Sequence, residues 1–322
     1  MVRANWEQAT LRDSVDSVVC CWATAIGGCS LAGEGDLEIR VSAEQAAMVG
    51  LPNLADRDEE HEHSDSEGDA PEELHFVDGW VIDYDKYIVS IGDIEIANSE
   101  GDRRSTENDA FVVDLAQAEP AIEVLRDVPG SRWDVFSFSV RPPDDEDVVA
   151  TQGDVSDEDL DRMIDERLNY WVEDRASKGD VEVRFAWGVQ NATRNEACTN
   201  GVDDTAGVVL RNNSMAVAEI TLHIEHMFWD TLGSEQTRLR FDAIAAMADD
   251  EGMVSFEALA DQRLADLRDA DGQPLLDSDG SLLFYDAGSA PLAEQNLSEF
   301  IRATMRSQAH LNGAGLCTID GL

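Results

Sequence analysis

Between His75 and Phe228 the chain repeats one pattern: a short run rich in β-branched and aromatic residues, then a turn signal. VDGWVIDYDKYIVSIGDIEIAN is followed by Glu100-Gly101-Asp102. AFVVDLAQ, AIEVLRDV and RWDVFSFSVR come next, the last two divided by Pro129-Gly130. LNYWVEDR and VEVRFAWGV flank Lys178-Gly179-Asp180, and Arg211-Asn212-Asn213-Ser214 joins Gly207–Leu210 to a strand predicted over Ala216–Phe228. Leu37 to Val41 alternates as a first strand does. Short strands with turns at this spacing predict a mainly β chain, an antiparallel β-sandwich. Ser156 followed by three acids is an N-cap with an acidic first turn, which predicts a helix over Asp157–Ile164.

The last third changes character. Helices are expected near 241–248, 255–268 and 292–308, with a loop between Asp269 and Pro291. The organisation expected is therefore a β-sandwich over 30–235 and a small helix-rich portion over 236–322 packed on it. Residues 55–74, ADRDEEHEHSDSEGDAPEEL, have almost no apolar content. They read as an acidic, solvated insertion in which His61 and His63 are loop residues.

Charge narrows the partners. Against 68 acidic residues stand 23 lysines and arginines, a net charge of −45. Such a surface repels phosphate backbones, so nucleic acid is excluded as a partner; it attracts cations. Adaptation to salty surroundings explains most of this charge, since screening makes the repulsion tolerable.

The five cysteines fall into two groups. Ile26-Gly27-Gly28-Cys29 resembles a bacterial lipobox, so 1–29 reads as a signal region with Cys29 as the lipidated residue. Any membrane contact would then be through that anchor, and the protein would sit in the cell envelope, periplasmic or held at the outer membrane. The alternative is a cytoplasmic chain with a cysteine-rich first helix. Removing the N-terminal group leaves Cys198 and Cys317 as one disulfide in an oxidising compartment.

WVIDYDKYIVSIGDIEIA, FVVDL, VLRDVPGSRWDVFSFSV, LNYWVEDRA with VRFAWGV, and ITLHIEHMFWD follow one another in an order that resembles the MbnP-like family. RFDAIAAMAD, VSFEALA and the closing QAHLNGAGLC also resemble lipoproteins of unknown function common in myxobacteria. The resemblance covers roughly residues 76 to 317. It implies a secreted β-sandwich protein associated with copper, and no reaction. Met163-Ile164-Asp165-Glu166 stands where that family carries an aromatic pair.

Ala218 to Leu259 concentrates metal-ligand chemistry. On a strand His223 and His226 point to opposite faces, which makes His226 a core residue and His223 with Glu225 a surface ligand pair. His310 approaches them if Cys198 and Cys317 tie the tail to the sheet. His226, His310 and one carboxylate would suit zinc or copper. Asp249-Asp250-Glu251-Gly252 leading to Glu257 resembles the second half of an EF-hand loop, with Met247 in place of the first ligand. That gives a degenerate EF-hand-like helix-loop-helix with Asp249, Glu251 and Glu257 as calcium candidates. Asp269 and Asp271, in an Asp-x-Asp-Gly piece, are either calcium ligands or a plain turn. No nucleophile motif, phosphate loop or dinucleotide fingerprint competes. The sequence reads as an extracytoplasmic metal-binding protein without catalysis. The alternatives are an envelope structural or interaction protein with calcium-stiffened loops, and a metal-dependent hydrolase.

Overall fold

The structure is a computed structural model that describes residues 33–321 apart from 45, 52–73, 118–120 and 235. The signal region with Cys29, and all of the acidic insertion but Leu74, lie outside the described residues.

Two sheets form the body. The smaller has four strands in the order Ala309–Leu311, Met215–Leu222, Glu34–Ser42, Ala121–Pro129. The larger has ten. Its path runs Met253–Val254, Val181–Val189, Tyr170–Lys178, Val81–Ala97, Val135–Val140, Thr193–Glu196, Thr318–Gly321. The chain is mainly β, as expected, and the inward faces of both sheets share one core. In Glu34–Ser42, Leu37, Ile39 and Val41 are fully buried while Glu38 and Arg40 alternate outward. Val172, Ala176, Val183, Phe185 and Trp187 do the same for the larger sheet. This two-residue period fixes the register, since a slip of one would expose every one of these side chains.

Tyr87 to Ile91 breaks the alternation because both faces are covered. Ile88 on the outer face packs with Val112, Met163 and Leu168 under the helix Asp157–Asp165. That helix begins where its sequence says: Ser156 accepts from the Asp159 N–H, and the Asp159 carboxylate answers at the Ser156 N–H. Lys86 reaches Asp159 at 2.6 Å and ties helix to sheet.

The sheets are not antiparallel throughout. Glu34–Ser42 runs parallel to Met215–Leu222, Ala110–Asp114 to Val148–Gln152, and Val181–Val189 to Met253–Val254. None of these pairs is joined by a tight hairpin, which frees them from the antiparallel direction such a turn imposes.

The last third is less helical than its apolar spacing suggests. Asp242–Ala245 is one turn, Ala258–Asp261 is a 3-10 turn, and Leu297–Met305 is the one helix of length. Leu259, Leu264 and Leu267 are buried at the spacing of a helix face, yet the backbone between them is looped. Gln262 accounts for this: its amide donates to Ala243 O and Arg268 O, and its Oε1 accepts from the Arg268 N–H. The degenerate EF-hand is likewise corrected. After Gly252 the chain extends as Met253–Val254 along the edge of Val181–Val189, so no pair of helices frames the turn.

Candidate metal centre

The strand Met215–Leu222 stops at Leu222, and Ile224–Phe228 is a 3-10 helix with His223 at its N-cap. Reading Ala216–Phe228 as one strand is therefore corrected. Ile220, Leu222 and Ile224 continue the buried alternation across the change, so the apolar pattern does not report it. The consequence for the site is large. Residues three apart nearly eclipse in a 3-10 helix. His223 and His226 thus lie stacked, with ring centroids 5.4 Å apart and planes 12° from parallel, on one side.

The C-terminal tail holds this turn in place. Ala309–Leu311 pairs with the end of Met215–Leu222, setting His310 opposite Thr221. The His223 N–H donates to Gln308 O at 2.8 Å, and the Gln308 amide donates to Ile224 O at 3.3 Å. Beyond it, Cys198 and Cys317 form a disulfide, their Cα atoms 4.0 Å apart. His310 comes edge-on to both other imidazoles, its ring centroid 4.6 Å from that of His223 and 5.7 Å from that of His226.

One ligand atom each from His223, Glu225 and His226 lies within 4.8 Å of the other two. Among the described residues no other three histidine, cysteine or acidic side chains are so gathered. His223 Nδ1 is 3.2 Å from Glu225 Oε1, and His226 Nε2 is 4.0 Å from the same oxygen. The far sides of both rings are spoken for. His223 Nε2 lies 3.3 Å from Gly313 O, which can only accept. His226 Nδ1 lies 3.0 Å from Ser307 Oγ, whose own proton goes to Thr304 O at 2.7 Å. Each far nitrogen therefore carries the hydrogen. In the neutral rings the lone pairs of His223 Nδ1 and His226 Nε2 both face the Glu225 carboxylate. Three acceptors converge, and a cation is what satisfies them. Carbonyl or hydroxyl partners on the outer nitrogens are the usual support of metal-ligating histidines.

The charges of the three rings differ. Burial, with His223 and His310 beside it, pushes His226 down to about 2. Burial and then His223 lower His310 as well. Burial opposes the charging of His223, but the hydrogen bond and charge of Glu225, with the Gly313 carbonyl, hold it above the ordinary value. Glu225 thus favours the protonated form of His223. His226 stays neutral, its ring packed on Trp229 with centroids 3.5 Å apart. His310 Nε2 is 2.9 Å from Ser307 O, and the Ala314 backbone lies within hydrogen-bonding influence of the same ring.

Of the acidic candidates, the carboxylates of Asp249 and Asp269 serve their own loops. Asp249 Oδ1 accepts from the N–H groups of Glu251 and Met253, each at 2.9 Å. Asp269 Oδ1 accepts from Asp271 at 3.0 Å and Gln273 at 2.7 Å. Each loop closes on a glycine at positive φ, Gly252 and Gly272. These are Asp-led turns of one design. Glu257 is exposed at the start of the 3-10 turn Ala258–Asp261, and Glu251 and Asp271 are exposed too. Sequence reasoning missed Ser307 and Gly313. They lie three residues either side of His310, and nothing in their identity marks them. No protein-family model, curated protein or solved structure matches this chain.

Proposed function

We propose that this protein binds one transition-metal ion, zinc or copper, between His223, Glu225 and His226, and works outside the cytoplasm as a metal-binding protein. The observation that carries the reading is the convergence of two imidazole lone pairs and one carboxylate, with both tautomers set by Gly313 and Ser307. Two nitrogens and one oxygen suit zinc and copper better than calcium, which takes oxygen ligands. The Cys198–Cys317 disulfide supports an oxidising compartment, and a lipid anchor at Cys29 belongs to the same proposal. Glu225 and His226 are 7% and 5% exposed, which favours holding an ion over presenting it to a substrate. A second reading has one observation behind it. Three protein ligands are also the complement of a catalytic zinc site, whose fourth position is open.

Metal analysis of protein purified without chelator tests the proposal. One equivalent of zinc or copper per chain is expected, reduced to background in Glu225→Gln and His226→Asn that remain folded by circular dichroism. Equal metal content in wild type and both variants would remove the site.

A further inference from the structure

A cavity of about 580 Å³ opens at one end of the larger sheet. Its wall is built from the end of Val135–Val140, the entry to Tyr170–Lys178, the exit of Val181–Val189 and the end of the helix Leu297–Met305. Three of the chain's scarce basic side chains meet there: Arg141, Arg167 and Arg306. Arg141 is committed, to Asp93 at 3.0 Å and Asp147 at 3.3 Å. The other two are not. Among the described residues neither Arg167 nor Arg306 has a carboxylate partner; the Arg306 Nε only donates to Asn191 Oδ1 at 3.0 Å. Asp144 and Asp147 also line the cavity and Asp93 pairs with Arg141, so acids and arginines are equal in number there; what stands out is two guanidinium groups that no carboxylate among the described residues engages.

Asn169 adds an independent observation. It is fully buried and lines the cavity. Its Oδ1 accepts from the Asn191 N–H at 2.6 Å. Since that backbone group can only donate, the orientation of the amide is fixed. Nδ2 is then a donor, buried, with no acceptor. An unmet buried donor is costly and asks for a partner. One unmet amide donor and two unpaired guanidinium groups share a complement, an oxyanion.

We infer that this cavity binds a small anionic molecule through a carboxylate or phosphoryl group, held by Arg167 and Arg306 beside the unmet Asn169 donor. The volume falls in the range of small-molecule sites. The site is separate from the His223–Glu225–His226 cluster and does not depend on metal.

Calorimetric titration of the full chain with sodium phosphate and with sodium succinate tests it, against sodium chloride at matched ionic strength. Saturable one-to-one binding of either oxyanion is expected; succinate alone identifies a carboxylate ligand, phosphate alone a phosphoryl one. Arg167→Gln should weaken the binding at least tenfold, the worth of one charge-assisted hydrogen bond. Arg306→Gln should do the same. The Arg167 side chain is exposed and, among the described residues, makes no hydrogen bond or ion pair, so its variant keeps the fold and decides the matter even where loss of the Arg306–Asn191 bond disturbs the helix end. Heats no different from chloride, or binding unchanged in Arg167→Gln, would overturn the inference.

Discussion

Acid should unfold the metal-free protein through His226, and the size of the effect follows from its surroundings. The ring is buried against Trp229 between two other imidazoles, and its pKa falls to about 2. In the unfolded chain it returns to about 6.5. A folded-state pKa below the unfolded one means stability that is complete above pH 6.5 and is lost as pH falls below it. The unfolded chain then takes up a proton that the folded chain refuses. Each pH unit costs about 1.4 kcal/mol, so between pH 7 and pH 5 the loss is about 2 kcal/mol. His310 is shifted the same way, and many carboxylates titrate lower down, so total stability does not isolate the effect. The comparison that does is wild type against His226→Asn, which keeps a donor for Ser307 and has nothing to titrate. Urea unfolding at fixed high salt with chelator present, from pH 7 to pH 5, should show the wild type losing about 2 kcal/mol more than the variant. Parallel pH profiles would refute the reasoning.

His223 should behave oppositely. Its raised pKa gives stability that is full below pH 6.5 and lost as pH rises through the folded-state value, and Glu225→Gln should lower that value in an imidazole NMR titration. Saturating zinc at about 100 times its dissociation constant should stabilise the fold by about 2.7 kcal/mol, read as a shift in urea midpoint absent from Glu225→Gln. Reducing Cys198–Cys317, which spans 119 residues, should cost roughly 5 kcal/mol in the chain-entropy model, measured by unfolding with and without dithiothreitol. Arg240→Met should cost about 3–5 kcal/mol because it strands Asp230, paired to it at 2.8 Å with both side chains at most 5% exposed. Arg238→Met, at 44% exposure on the same aspartate, should cost less than about 1 kcal/mol in the same assay.

What the sequence disclosed depended on whether one local rule decided the outcome. Tyr170–Lys178 and Val181–Val189 are legible because alternation and the Lys178-Gly179 turn agree. Ser156 announces its helix, and Cys198 and Cys317 announce their pairing by elimination. The candidate metal centre was legible only as ingredients. His223, Glu225, His226 and His310 were nameable, but their convergence depends on a backbone switch at Leu222 that the apolar pattern runs straight through. The outer partners Ser307 and Gly313 come from a tail whose position is set by strand pairing and a disulfide. The Asp249 and Asp269 loops illustrate the reverse case. Aspartate followed by glycine carries the same letters whether the carboxylate serves an ion or the loop's own backbone.

The pairing of Glu34–Ser42 with Met215–Leu222 has a bearing on when the protein becomes competent. An N-terminal strand must wait for a partner synthesised some 180 residues later, and its other neighbour, Ala121–Pro129, leaves one edge open until then. Contacts this distant in sequence are slow to form. The proposed ligands share the delay, since His223 and His226 gain their outer supports only once Ser307 and Gly313 have emerged from the ribosome. A nascent chain therefore lacks the assembled cluster. The convergence of these side chains is a property of the folded chain, complete only where the last strand closes.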